Sequence, residues 1–292
     1  MSQSISKTPR YRYQRITKLV FVYLILAALT AFFMLPFYTM IVASFMDNTA
    51  LNSVTPHFWP KPAILDNYKA LFSADISGTT FFRALLNSML LAVGQTVPAV
   101  LIASLVGFIF AKRDFPGKNA LFIAVLITMM LPYQATIVPF FLLMTKLKWI
   151  NTFLPLWIPW WAPAFGIFLM RQIIVATVPD SLIDAATIDG ASILGIYWRI
   201  ILPLVKPGLA VLGILNFMNA WNDYIYSNII FNDVKMYTVP LVLAFFQGSQ
   251  LTVPQHGLMA AGSVVGVLPL VGIFFLFQRW LVSGIMAGAM KG

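Results

Sequence analysis

Apolar residues in this chain run in long blocks instead of alternating with polar ones. Stretches 19–46, 84–111, 119–145, 149–170 and 257–278 carry no charge, and a sixth, 207–232, is interrupted only by Asp223. A helix needs about 20 mostly apolar residues to cross the hydrocarbon core, and each block reaches that length. The short alternating segments of a membrane β-barrel are absent. The pattern predicts an all-α polytopic membrane protein with six transmembrane helices at roughly 18–46, 83–111, 119–144, 150–170, 207–231 and 258–279. One membrane domain then covers residues 1–292. Pro36 and Pro98 fall inside the first two helices, and Pro155, Pro159 and Pro163 make the fourth irregular.

Composition agrees with that pattern. Hydrophobic residues make up 60% of the chain and charged residues 10%, against about a quarter charged in soluble domains. The net charge of +10 does not point to nucleic acid, because the basic residues sit in short patches between apolar blocks. Lys7, Arg10, Arg12, Arg15, Lys18, Lys112, Arg113, Lys118, Arg171, Arg199, Lys206, Arg279 and Lys291 fall on one side of the predicted topology. Lys61, Lys69, Arg83, Lys146, Lys148 and Lys235 fall on the other. Positive charge is retained in the cytoplasm, so both termini are expected there. The basic N-terminus leads into a long apolar run and is expected to be a first span, not a cleaved signal peptide. Segment 236–255 is also free of charge, but its apolar part is only about ten residues. It is expected to be an interfacial or re-entrant piece of an external loop, since a seventh span would place Arg279 and Lys291 outside.

Two segments lie outside the predicted bilayer. Residues 47–82 form an external loop, and residues 171–206 form a cytoplasmic one. In the latter, Pro179-Asp180 can open a helix, Asp180 being a good N-cap. Leu182, Ile183, Ala186 and Ile188 are spaced along its face. Gly190 can end it in the left-handed region, and Ser192 can cap a second helix running to Pro203. Two short helices on the membrane surface would have the same shape.

The residues of that loop carry a resemblance. The run DAATIDGASILGIYWRIILPLVKP resembles the EAA loop of ABC-importer permeases at Asp184, Ala185, Ala186, Asp189, Gly190, Ala191, Leu202, Pro203 and Pro207. Asp184 stands where the pattern has Glu, keeping the charge on a shorter arm. NSMLLAVGQTVPAVLIASLVGFIFAKRDFPGK, INTFLPLWIPWWAPAFGIFLMRQ and FMNAWNDYIYSNII look like segments of the sugar-importer branch. FQRWLVSGIMAGAMKG is similar to the tail of the second permease subunit of maltose-type importers. The resemblance implies a multi-pass protein of the bacterial inner membrane that moves an oligosaccharide or other sugar by alternating access. It also implies a homologous permease partner, an extracytoplasmic solute-binding protein, and two ATPase subunits that hold ATP and Mg, with no cofactor on this chain. The loop would dock into the ATPase, and the tail, with Gly288 and Lys291, would contact it. Glycerol phosphate remains an alternative solute, although the only Lys and Arg within the predicted spans, Lys18, Arg83 and Arg279, stand at their very ends.

Within the predicted spans, Asn216, Asn219 and Asp223 recur at i, i+3 and i+7, with Asn222 beside them. This stripe serves helix packing, a translocation pathway or gate, or an external helix end. Asn87, Gln95 and Gln134 are expected to join helices, and Gly262 and Gly266 to permit close packing. Trp149 and Trp157 read as aromatic-belt anchors, and Trp160 and Trp161, deeper in the span, can stack on a sugar. A membrane enzyme would need chemistry that is not visible. His57 and His256 are far apart, and there is no G-x-S-x-G, H-E-x-x-H or phosphate-binding loop. No catalytic residue and no metal site are predicted, and neither is the carboxylate ring of a channel. The chain has no cysteine, so single cysteines introduced at Lys118 and Ser192 should react only with reagent supplied from the cytoplasm, and one at Lys61 only from outside. External labelling at Ser192 would overturn this topology.

Overall fold

The computed structural model describes residues 9–53, 58–73, 78–247 and 255–289, and apart from a lone bridge residue at Thr79 their regular structure is helical. The chain opens with α1 (Pro9–Ser44) and the short α2 (Asn48–Leu51) and α3 (Asp66–Ser73). Next come α4 (Phe81–Lys112), α5 (Lys118–Met130), α6 (Tyr133–Lys146), α7 (Leu154–Trp157) and α8 (Ala164–Thr177). Then follow α9 (Asp180–Ile188), α10 (Ile193–Ile196), a π-helical stretch Tyr197–Ile201, and α11 (Leu202–Leu204). The last are α12 (Lys206–Trp221), α13 (Ile225–Ile230), α14 (Val239–Phe246) and α15 (His256–Ala289). Ile16–Ser44, Phe81–Lys112, Leu154–Thr177 and His256–Trp280 are long and apolar enough to cross a bilayer. The number rises to 6 if two bent pairs each count as one span.

The first of those bends departs from an expected continuous helix, whereas the second falls where the helix ending at Pro203 was expected to give way to the span from 207. The helix predicted over 119–144 is split, with Lys118–Met130 and Gln134–Lys146 meeting at 102°. Pro132 explains the break. It has no N–H to donate, and it drives the preceding Leu131 into extended backbone, φ −75° and ψ 122°. The helix predicted over 207–231 stops at Trp221 and resumes only as the six-residue α13. Arg171 was expected to begin a loop but lies within α8, which continues to Thr177. There its guanidinium sits 4.4 Å from the centre of the Phe122 ring. Ile193–Leu204 and Lys206–Trp221 meet at 83°, just after the π-helical stretch. A proline ring collides with the carbonyl four residues back, so Pro203 provides the cause of the wider turn before it. The 236–255 segment contributes α14, whose 8 residues reach only about 12 Å. Its Val239, Val242 and Phe246 are buried in the core against α4 and α15.

The core is organised around α4. Ala84, Ser88, Ala92, Ala99, Ala103 and Gly107 are buried along it at helical spacing. Small side chains at this spacing let neighbouring backbones approach closely, and α8 and α12 pack on this stripe. A Cβ added at Gly107 would fall 2.9 Å from both the Arg171 backbone nitrogen and the Met170 Cβ. The Gly262 and Gly266 pair behaves similarly. A Cβ at Gly262 would lie 2.7 Å from Leu243, and the Gly266 carbonyl accepts the Trp221 indole N–H at 3.1 Å. Asn87 joins elements as expected, donating to the carbonyls of Lys235 and Tyr237 at 2.9 Å each. Gly107→Leu should force α4 and α8 apart and destabilise the protein by about 1–3 kcal/mol. The check is a lower unfolding temperature in detergent, which Gly107→Ala should reproduce in milder form.

Candidate functional site

A cavity of about 560 Å³ opens where α4, α7, α12 and α13 converge. Leu91 and Gln95 of α4, Leu156, Trp160 and Tyr226 line it together with Asn219, Asn222 and Asp223. The break after Trp221 creates the polar wall. Asn222 and Asp223 leave the helix and Asp223 turns back onto α13. Its carboxylate accepts the Ser227 amide at 2.8 Å, the Ser227 hydroxyl at 2.7 Å and the Tyr226 amide at 3.4 Å. These bonds satisfy amides that the first turn of a helix leaves unpaired. The Trp160 and Tyr226 rings meet edge to face with centroids 5.4 Å apart.

The structure thus separates the residues that the sequence grouped together. Asn219, Asn222, Asp223 and Trp160 reach the cavity. Asn216 does not line it, and its side chain donates to the Leu212 carbonyl of its own helix at 3.0 Å. Asp223 is not on the helical stripe at all, since α12 has ended two residues earlier. Trp161 also turns away, donating its indole N–H to the Gly94 carbonyl at 2.9 Å. The polar lining residues to which the sequence gives another role or none include Gln95, read as helix joining, and the tyrosines Tyr224 and Tyr226. The available signal for Gln95 was an amide in an otherwise apolar block.

At the other end of α8 lies the helix–turn–helix of α9 and α10. Pro179, not Asp180, occupies the N-cap of α9 and makes no side-chain cap bond. The end of α9 closes through two bonds of a Schellman motif. The Ala191 amide donates to the Ala186 carbonyl at 3.0 Å, and the Gly190 amide to the Thr187 carbonyl at 3.1 Å. Gly190 has φ +79° there, a conformation that costs little only for glycine. Ser192 then caps α10 by accepting the Gly195 amide at 3.1 Å. The expected single apolar face of α9 is divided. Ile183 and Ala186 are buried in the core beside Ile196 and Tyr197. Leu182 and Ile188 are exposed, Ile188 to 85%, and so are Ile193, Leu194 and Trp198. Asp184, Ala185, Asp189 and Ala191 are exposed beside them, while Leu202 and Pro203 fall in α11. Of the two tail residues, Gly288 lies near the end of α15 and Lys291 lies outside the described residues.

Residues 103–286 match the family of binding-protein-dependent transport system inner membrane components. The chain is 34% identical over 262 residues to the arabinooligosaccharides transport system permease protein AraQ of Halalkalibacterium halodurans, covering 88% of this chain and 91% of that one. It is 30% identical over 253 residues to the sn-glycerol-3-phosphate transport system permease protein UgpE of Yersinia enterocolitica, covering 86% and 90%. Its fold resembles that in the crystal structure of a bacterial ABC transporter involved in the import of the acidic polysaccharide alginate. The TM-score is 0.78 at 22% identity, with 92% of this chain and 98% of that chain covered. With apolar helices of spanning length and matches over nearly its whole length, the chain belongs to the family of binding-protein-dependent transport system inner membrane components, as an integral membrane permease subunit that is not itself an enzyme.

Proposed function

We propose that this permease subunit carries an uncharged saccharide across the bacterial inner membrane by alternating access. The solute arrives from an extracytoplasmic binding protein, and the cavity is completed by a homologous permease partner. Two separate ATPase subunits hold ATP and Mg, and this chain holds no cofactor. The 178–205 segment and both termini face the cytoplasm, and the end of α15, with Gly288 and Lys291, contacts the ATPases. The cavity's chemistry supports the choice of solute. An aromatic ring, amides and a tyrosine suit the apolar ring faces and hydroxyls of a sugar. No Lys or Arg is among its lining residues and the carboxylate of Asp223 is, an arrangement that repels a phosphate. Among the relatives, the one named for arabino-oligosaccharides therefore fits better than the one named for glycerol phosphate.

The docking of the loop rests on its exposed apolar side chains. Ile188, Ile193, Leu194 and Trp198 stand out beside the carboxylates of Asp184 and Asp189. Apolar side chains clustered on a projecting turn suit a protein groove, with the flanking charges on its rim.

Two measurements on the complex reconstituted in lipid vesicles test this reading. Trp160→Ala removes an aromatic contact of about 1 kcal/mol, so uptake of a neutral oligosaccharide at subsaturating concentration should fall roughly fivefold. Glycerol 3-phosphate should not compete. Efficient competition by glycerol 3-phosphate would reverse the choice of solute. Gly190→Val strains the turn by roughly 1–3 kcal/mol through its backbone alone, because an added Cβ there meets nothing within 4 Å. The ATPase subunits should then co-purify poorly. Normal transport with the ATPase fully bound would remove the loop from the docking role.

A further inference from the structure

Lys112 ends α4, and only 5% of its side chain is exposed. Its ammonium donates to the Val178 carbonyl at 2.6 Å and to the Asp180 carboxylate at 2.6 Å. Val178 is where α8 stops and Asp180 is where α9 starts. One cation therefore holds both sides of the corner from which the helix–turn–helix projects. A second polar contact lies two turns back along α4. Tyr197, buried in the π-helical stretch, shares a hydrogen bond with the Ser104 hydroxyl at 2.7 Å and donates to the Leu101 carbonyl at 3.1 Å. Its ring stacks on Phe108.

Neither contact is needed to hold these helices together, since Ile183, Ala186, Ile196 and Ile201 already pack in the same core as Phe108 and Phe110. Apolar burial is non-directional and permits helices to slide or roll on one another. Charge-assisted hydrogen bonds fix direction and register. A lysine needed only for membrane orientation would sit in water; withdrawing its ammonium is costly unless partners offset the loss. The other half of α4 carries Leu91 and Gln95 into the cavity. We infer that Lys112 is a positioning residue that, together with Tyr197, clamps the helix–turn–helix to α4, so that a displacement of the loop is delivered along α4 to the cavity. The inference rests on the reading of the loop as the ATPase dock.

The test uses the full complex in lipid vesicles, comparing solute uptake per ATP hydrolysed. Lys112→Met should assemble with the ATPases and keep basal hydrolysis and unfolding temperature, while uptake per ATP falls roughly fivefold or more. Lys112→Arg, which keeps the cation and its donors, should recover most of the loss. If Lys112→Met does not assemble, Tyr197→Phe is read in its place. It deletes one hydroxyl without changing the ring and should lower the same ratio in the same direction. A wild-type ratio in the variant that is read overturns the clamp, and so does a Lys112→Arg ratio no better than that of Lys112→Met. Gly190→Val separates this from the underlying reading. Loss of the ATPase in Gly190→Val with wild-type coupling in the Lys112 variant discards the clamp alone, whereas normal behaviour of both variants discards the dock as well.

Discussion

The close approach of α8 and α12 to the small-residue stripe of α4 is the constraint on which the rest depends. Water is absent from the hydrocarbon core, so helices there gain nothing from burying apolar surface against one another; they gain from contact and hydrogen bonding. Ala84, Ser88, Ala92, Ala99, Ala103 and Gly107 keep the surface of α4 low, and neighbouring backbones come near enough to exchange bonds. The Ser88 hydroxyl accepts the Val239 amide at 2.8 Å. The carbonyls of Leu91 and Gly94 receive the indoles of Trp157 and Trp161. A Cβ on Gly94 would lie 2.6 Å from the Trp157 ring. All three apolar clusters of the core include residues of α4.

Around this axis the interrupted helices are consistent with the same solvent physics. Irregular backbone inside a membrane persists only where protein or a water-filled cavity satisfies it. After Trp221 that role falls to Asp223; the connection between α6 and α7 is closed by a side chain too, that of Asn151. The Asn151 side-chain carbonyl accepts the backbone amides of Asn232 and Asp233 at 2.6 and 2.9 Å, and the Asn151 backbone N–H donates to the Ile230 carbonyl at 3.0 Å. The polar wall of the cavity is thus the by-product of ending a helix early. A continuous helix over 207–231 would have consumed those amides internally and left Asp223 to be paired elsewhere.

Apolar block length made the class of fold legible, because the demand for about 20 apolar residues per span is coarse and robust. The glycine turn was legible too, because φ +79° at Gly190 is a local property with few residue solutions. The breaks at Pro132 and after Trp221 were not. The apolar block resumes beyond each of them, and in membranes a proline is often tolerated inside a helix, as at Pro36 and Pro98. Periodicity placed Asn216, Asn219 and Asp223 on one stripe, but periodicity holds only while the helix does. Lys112 was counted as a topological charge, since nothing in its sequence context tells a snorkelling lysine from one folded back onto Val178 and Asp180. The sequence likewise assigned Gln95 to packing, because whether an amide faces a helix or a cavity is decided by elements distant in the chain.

The same geometry bears on how force could cross the molecule in the proposed reading. From Gln95 to Lys112 is 17 positions, or roughly 26 Å of one helix that holds Pro98, whose missing N–H leaves the Gly94 carbonyl to the Trp161 indole. A hydrogen-bonded helix of that length bends gently and resists local distortion except at breaks. The sharp bends between paired helices among the described residues lie elsewhere, at Leu131–Pro132 and at Val205, and α12 ends at Trp221. Displacement applied at the helix–turn–helix can enter α8, which joins α9 at Val178 and Pro179, as well as α12 and α4. Through α12 it meets the bend at Val205, where an 83° corner can absorb it as hinge motion. Through α4 it meets only the missing bond at Pro98 before the cavity. A partner that pushes on the loop alters the cavity only if the two conformations differ in contact energy at both ends. The route through α4, clamped to the loop by Lys112 and Tyr197 in this reading, keeps those energies linked without a bend like that at Val205.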